Sequence, residues 1–277
     1  MFIKNYNTKV NVNQKIQFDI NIPKDFKGYN LIITGSIGMG KSTLLESIHN
    51  CLNYNNINHY SFPEFVMTNY SNINISETLL EMKLKGILSG ITTQNYILDI
   101  WEYNLKKYEM YKNKISRNNI VLWDRTPEDV GIFTKALINY EKYKNIKLNN
   151  HAINSDENEF NTQCYNNIIE RGDKIMKKYN IKKYSIEYNN KPCYVSMIRG
   201  NIDLMLISVL NIIKDDIEKN LTNNRIIHLK TDRLYQHKNI QNRNRGGEDN
   251  YYDKPLIDSD NEYTLIDFIN DEYDNLI

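Results

Sequence analysis

Only three cysteines occur in 277 residues, Cys51, Cys164 and Cys193, and none has CxxC spacing. So sparse and odd a set excludes a disulfide framework and a thiolate metal cluster, and it points to a reduced, intracellular chain. Charge of one sign is also lacking, since 35 Lys+Arg against 34 Asp+Glu leave a formal charge of +1. That balance excludes a protein held to nucleic acid or anionic lipid by a global basic field. Long apolar runs are missing too. The best, Leu204 to Ile213, is interrupted by Ser208 and Asn211, and the opening Met1-Phe2-Ile3-Lys4-Asn5-Tyr6 has no apolar core. No secretory or membrane-spanning segment is expected, and the chain reads as cytosolic or nuclear. Alanine, the best helix former, occurs only at Ala136 and Ala152.

What fills the space is 43 Asn, 39 Ile and 21 Tyr. These residues and Lys have A/T-rich codons, so the composition reports a coding bias more than folding preference, and Asn stands even where a helix favours Ala. The length suits one large domain or two small ones.

Residues 1–29 alternate apolar and polar at Val10, Val12, Ile16, Phe18 and Ile20, which predicts a short hairpin or edge strands. Leu31-Ile32-Ile33-Thr34 is the continuous apolar run of a strand buried on both faces. A helix is predicted from Lys41 to about Leu52, with Leu44, Leu45 and Ile48 on one side. His59 to Phe62 and Ile120 to Trp123 are further strand candidates. Residues 76–113 read as one or two helices, with Ser76 as a cap and Gly90 as a break. Pro127 fits the first turn of another helix. The Asn/Lys/Tyr-rich stretch 141–191 has weak periodicity and reads as part of an insertion spanning about 141–224, or as a mobile substrate-side segment. Tyr194–Ile198 is a strand candidate, Leu204–Ile217 a helix, and Arg225–Leu229 a strand followed by a helix rich in Arg and Gln. Tyr263–Phe268 reads as the last strand. Strands alternating with helices predict a single α/β domain, three-layered around a parallel sheet.

One motif carries chemistry directly. Gly35-Ser36-Ile37-Gly38-Met39-Gly40-Lys41-Ser42 matches GxxxxGK[ST] between an apolar strand and an amphipathic helix. Glycines let such a loop wrap phosphates with backbone N–H groups, and the helix N-terminus adds positive potential. Lys41 reaches the β- and γ-phosphates in this reading, the Ser42 hydroxyl ligates Mg²⁺, and Thr43 completes the ATP contacts.

Three further places fit phosphoryl transfer. Asp124-Arg125 follows a buried strand, where a carboxylate can hold Mg²⁺ and an arginine can neutralise the transferring group. An ordinary strand-end ion pair is the plainer alternative. Pro63-Glu64 ends another strand candidate, and Glu64 is placed to take a proton from a hydroxyl, or is simply a solvated loop glutamate. Arg243-Asn244-Arg245-Gly246-Gly247-Glu248 reads as an arginine-rich lid with glycine hinges, or as a solvated basic turn.

In this order these motifs resemble the deoxyribonucleoside kinase family, which includes the herpesvirus thymidine kinases. Matched positions run from about residue 31 to 130 and from 225 to 250. The resemblance implies a P-loop nucleoside/nucleotide kinase fold and a soluble enzyme that uses Mg-ATP and a deoxynucleoside, as a monomer or a homodimer. It implies that Glu64 deprotonates the sugar 5′-hydroxyl and that Gln94 reads the base edge. By the same resemblance Asp124 assists with Mg²⁺ or the hydroxyl, Arg125 stabilises the phosphoryl group, Arg243 and Arg245 close over ATP, and Glu248 accepts from the sugar 3′-hydroxyl. Tyr96 and Tyr103 are candidates to contact substrate. Phe65 replaces the family's second proline after Pro-Glu, and residues 141–224 are longer than the family's. Val130 stands where cytidine-preferring members place an acid, which implies thymidine. Two other readings compete: a thymidylate (nucleoside monophosphate) kinase, and an ATP-binding protein with degenerate catalysis.

Overall fold

The computed structural model describes residues 16–62, 82–83, 89–112, 119–149, 155–181, 194–198, 200–220, 224–242 and 263–275. Along the chain these form β1 (Tyr29–Thr34), α1 (Lys41–Tyr54), β2 (His59–Phe62), α2 (Gly90–Lys112) and β3 (Ile120–Asp124). Next come α3 (Pro127–Asn149), α4 (Ser155–Lys178), β4 (Tyr194–Ile198), α5 (Ile202–Glu218), β5 (Asn224–Lys230), α6 (Arg233–Asn242) and α7 (Leu265–Asp274).

The strands form one sheet in the order β2-β3-β1-β5-β4, and every pair is parallel. A parallel pair needs a crossover between its strands, which the helices supply. Because the sheet is covered on both faces, its strands are apolar throughout rather than alternating. Alternate residues still choose opposite sides. Leu31 and Ile33 of β1, with Ile120 and Leu122 of β3 and Ile227 and Leu229 of β5, pack with Leu44 and Ile48 of α1 and Leu206 and Val209 of α5. Ile32, Val121, Trp123 and Ile226 face the other way, into a core shared with α2, α3, α4 and α7. The architecture is therefore the expected α/β sandwich, helices on either side of a parallel sheet.

The chain moves from β1 to one edge of the sheet through β2 and returns at β3, then fills the other edge with β4 and β5. The order thus reverses at the carboxyl end of β1, between β3 and β5, which in open α/β sheets is where a crevice opens.

Two expectations need correcting. Tyr263–Phe268 is no strand: α7 begins at Leu265, because Thr264 and Asp267 form a reciprocal capping box that supplies the first free N–H partners. Residues 16–28 contain no strand. They lie as a strap whose Phe18 and Phe26 are buried over the α1 side of the sheet, and residues 1–15 fall outside the described residues. Within 141–224, α4 runs alongside α3 and buries Ile168, Ile175 and Met176, β4 completes the sheet, and α5 covers it. The strand at Tyr194–Ile198 and the helix over 204–217 form as expected, and α4 forms by burying one apolar stripe among its Asn and Lys residues.

Candidate functional site

The loop after β1 has the backbone its glycines predict. Gly35, Gly38 and Gly40 all have positive φ, at 131°, 78° and 83°. Two of these glycines are also required by space. A Cβ on Gly35 would stand 2.6 Å from the Leu229 carbonyl oxygen, and one on Gly38 would stand 3.0 Å from that of Gln236. Gly40 precedes α1 in the left-handed conformation, so the first turn of α1 faces the loop with its amides and its positive dipole end.

Lys41 is buried at the base of this loop, and its Nζ donates to the Ser36 carbonyl at 2.7 Å. Ser42 Oγ donates to Asp124 Oδ2 at 2.9 Å, joining the first turn of α1 to the carboxyl end of β3. Parallel pairing of β1 with β3 makes this possible, since Ile33 is in register with Asp124.

Arg125 follows in a left-handed conformation, φ 68°, unusual for a residue with a side chain. Its own N–H donates to Ile33 O at 3.0 Å, while Nε and Nη2 reach Gly35 O at 3.4 and 3.3 Å. The guanidinium also lies 4.8 Å from the Phe133 ring centroid. These four contacts fix the guanidinium in one direction despite the sparsely populated backbone conformation.

The turn holding Arg125 is anchored by Asp129, which sequence reasoning passed over. Asp129 Oδ1 accepts from Thr34 Oγ1 at 2.8 Å and from the Tyr273 hydroxyl, and Oδ2 accepts from the Thr126 N–H at 2.8 Å. One buried carboxylate therefore ties the end of β1, the start of α3 and α7. Its signal was visible as Thr126-x-x-Asp129, a capping box ahead of an apolar run. Burial and the Asp129 charge hold the Tyr273 phenol far above its usual range.

Behind the loop, His228 of β5 pairs in register with Thr34. Burial, with help from Lys230 and Lys41 and against Asp274, depresses its imidazole to about 4, so it is neutral at physiological pH.

The helix α2 packs on β2 and β3. It runs against the strand direction: Tyr108 packs on Tyr60 and Phe62, and Trp101 packs on Phe62 and Trp123, the later residues of β2 and β3. Gln94 is buried about two turns nearer the helix start, which sets it roughly 10 Å beyond Trp101, past the strand ends. Arg171 of α4 fixes this stretch by donating to Asn95 O at 3.2 Å and pairing with Asp99. Tyr96 is 43% exposed, and Tyr103 carries Lys107 over its ring.

Gly35–Thr43, Asp124 and Arg125 are thus brought together at the switch point, while Gln94 is buried near the start of α2. Glu64, Arg243, Arg245 and Glu248 lie outside the described residues. Among the described residues no cluster of three or more His, Cys, Asp or Glu could hold a metal ion, and no helix is long and apolar enough to cross a membrane.

No protein-family model matches the chain. Over 117 residues it is 26% identical to the cytidylate kinases of Mesomycoplasma hyopneumoniae strains 7448 and J, covering 42% of this chain and 51% of theirs. The chain thus matches about half the length of these curated relatives. Solved structures that align with it include a deoxyadenosine kinase from M. mycoides with the products dCMP and a flexible dCDP bound, at a TM-score of 0.33 and 19% identity over 77% of this chain and 97% of that one. The same kinase with bound dATP aligns at 0.31 and 18% over 77% and 98%.

Proposed function

We propose that this chain is a kinase that transfers the γ-phosphoryl group of Mg-ATP to the 5′-hydroxyl of a deoxyribonucleoside, thymidine by preference. The observation that carries the reading is the junction at the switch point: a phosphate loop of the right backbone, joined through Ser42 to Asp124, with Arg125 anchored beside it. Phosphoryl transfer needs positioning and charge neutralisation more than covalent chemistry, and these groups supply both. Lys41 and the loop amides bind the triphosphate. Ser42 and Asp124 offer a hydroxyl and a carboxylate, hard oxygen donors suited to Mg²⁺ with several waters retained. When bound, that ion neutralises charge across the β- and γ-phosphates. Arg125 stabilises the migrating group. Glu64 takes the hydroxyl proton, Gln94 pairs with the base through an amide that both donates and accepts, and Glu248 holds the 3′-hydroxyl while Arg243 and Arg245 close the lid.

The base preference rests on the residues that open α3. Val130 is 3% exposed and packed in the core, and Asp129 already accepts three hydrogen bonds within the protein. Neither offers a carboxylate to a cytosine amino group. Similarity to cytidylate kinases favours a second reading, in which the acceptor is a nucleoside monophosphate.

The test is incubation of the purified chain with Mg-ATP and, separately, thymidine, deoxycytidine, deoxyadenosine, deoxyguanosine, thymidine monophosphate and cytidine monophosphate. Monophosphate made from thymidine above the other nucleosides is the expected result. Diphosphate made only from a monophosphate would replace it with the second reading. ATP binding with no product from any acceptor would leave a degenerate nucleotide-binding protein.

A further inference from the structure

The peptide groups of the phosphate loop are held from outside by side-chain amides of α6. Gln236 Nε2 donates to Ile37 O at 2.6 Å, and Asn239 Nδ2 donates to Gly38 O at 2.7 Å. Gln236 also reaches Ser36 Oγ at 3.2 Å. Gln236 is itself fixed: its Oε1 accepts from Asn270 Nδ2 of α7 at 3.0 Å, and it is 1% exposed. The helix sits so close that a Cβ on Gly38 would meet Gln236 Cγ and Ile240 Cγ1, each at 3.1 Å. Asp232 caps α6 by accepting from the Tyr235 N–H at 2.8 Å, and Arg233 pairs with Asp267 of α7 at 2.9 Å, so the helix is a firm support.

A trans peptide is planar, with its C=O and N–H pointing in opposite directions. Holding the Ile37 oxygen against α6 therefore aims the Gly38 N–H away from α6, and holding the Gly38 oxygen does the same for the Met39 N–H. Two successive amides directed to one side make an anion-binding concavity. Glycine, with no side chain, would otherwise let these peptides rotate at little cost.

Building on the phosphate-loop reading above, we infer that Gln236 and Asn239 are positioning residues for phosphate binding, which preset the orientation of the Gly38 and Met39 amides. Neither touches the phosphates. They act through the carbonyls.

The experiment measures binding of Mg-ATP and of inorganic tripolyphosphate to wild type, Asn239→Ala and Gln236→Met, with melting curves for each. Loss of one hydrogen bond that presets a binding amide is expected to weaken both ligands by about three- to tenfold. The KM of the phosphoryl acceptor stays unchanged. A purely structural role would lower the melting temperature without moving the dissociation constants of the folded protein. Gln236 is buried, so should Gln236→Met fail to fold, the half-buried Asn239→Ala decides the question. Wild-type affinity for both ligands in a folded Asn239→Ala would overturn the inference. No binding of either ligand by the wild type would overturn the phosphate-loop reading itself, and this inference with it.

Discussion

Arg125 combines a positive φ with a guanidinium fixed on Gly35 O, and lysine cannot reproduce that forked reach. Arg125→Lys is expected to lower turnover by about three orders of magnitude, the scale of an arginine that neutralises a transferring phosphoryl, while the melting temperature changes little. Unchanged turnover would remove Arg125 from the transfer step. For Glu64 the expectation is different in kind: Glu64→Gln should leave ATP binding intact and cut nucleoside phosphorylation by about two to four decades, as loss of a general base does. His228 makes a prediction about pH. Its folded-state imidazole is depressed to about 4, against about 6.5 in an unfolded chain. Above pH 6.5 neither state binds the proton and its contribution is complete. Between 6.5 and 4 only the unfolded state is protonated, so stability falls by about 3 kcal/mol in all. His49 and His59 are likewise depressed by burial and add to the decline in the same direction. Urea denaturation at pH 7 and pH 5 tests this, and equal midpoints would contradict it.

At the scale of elements, Asp129 joins β1, α3 and α7 through one carboxylate. Asp129→Ala leaves a hydroxyl, a phenol and a backbone N–H without their acceptor, and is expected to cost about 3 kcal/mol in urea. A cost below about 1 kcal/mol would show the junction to be dispensable. Most elements were legible in the residues because their signals are local. The runs at Leu31–Thr34, Ile120–Trp123 and Arg225–Leu229 became β1, β3 and β5, and the glycine-lysine loop took the backbone its motif requires. Two elements were less legible for physical reasons. Tyr263-Thr264-Leu265-Ile266 has strand-like residues, yet the Thr264–Asp267 cap decided for helix. The helix α4 is rich in Asn and Lys, which hid the stripe of Ile168, Ile175 and Met176 that recurs at helical spacing and meets the neighbouring helices. Of the amides that hold the loop, Asn239 and Asn270 were lost among 43 asparagines that composition bias explains, and Gln236 carried no motif of its own.

For the molecule as a whole, the central strand is clasped from both sides. At its amino end the Tyr29 hydroxyl and the Arg225 guanidinium share the buried Asp216 carboxylate. At its carboxyl end lie the glycine-rich loop and Asp129. Ligand binding at one end should therefore stabilise the cooperative unit. Mg-ATP at a hundred times its dissociation constant contributes about 2.7 kcal/mol, which for a chain of this size raises the melting temperature by about 5 °C. No shift in calorimetry at that saturation would argue against a nucleotide site. The strand order also sets a timetable for synthesis. Asn30 in β1 hydrogen-bonds Trp123 from 93 residues away and Asn224 from 194 residues away. A ribosome must therefore make most of the chain before β1 has both neighbours, and the nascent β1 meanwhile presents an unpaired apolar edge. Chaperone occupancy in the cell should consequently persist through translation of β3 and fall only once β5 has left the exit tunnel.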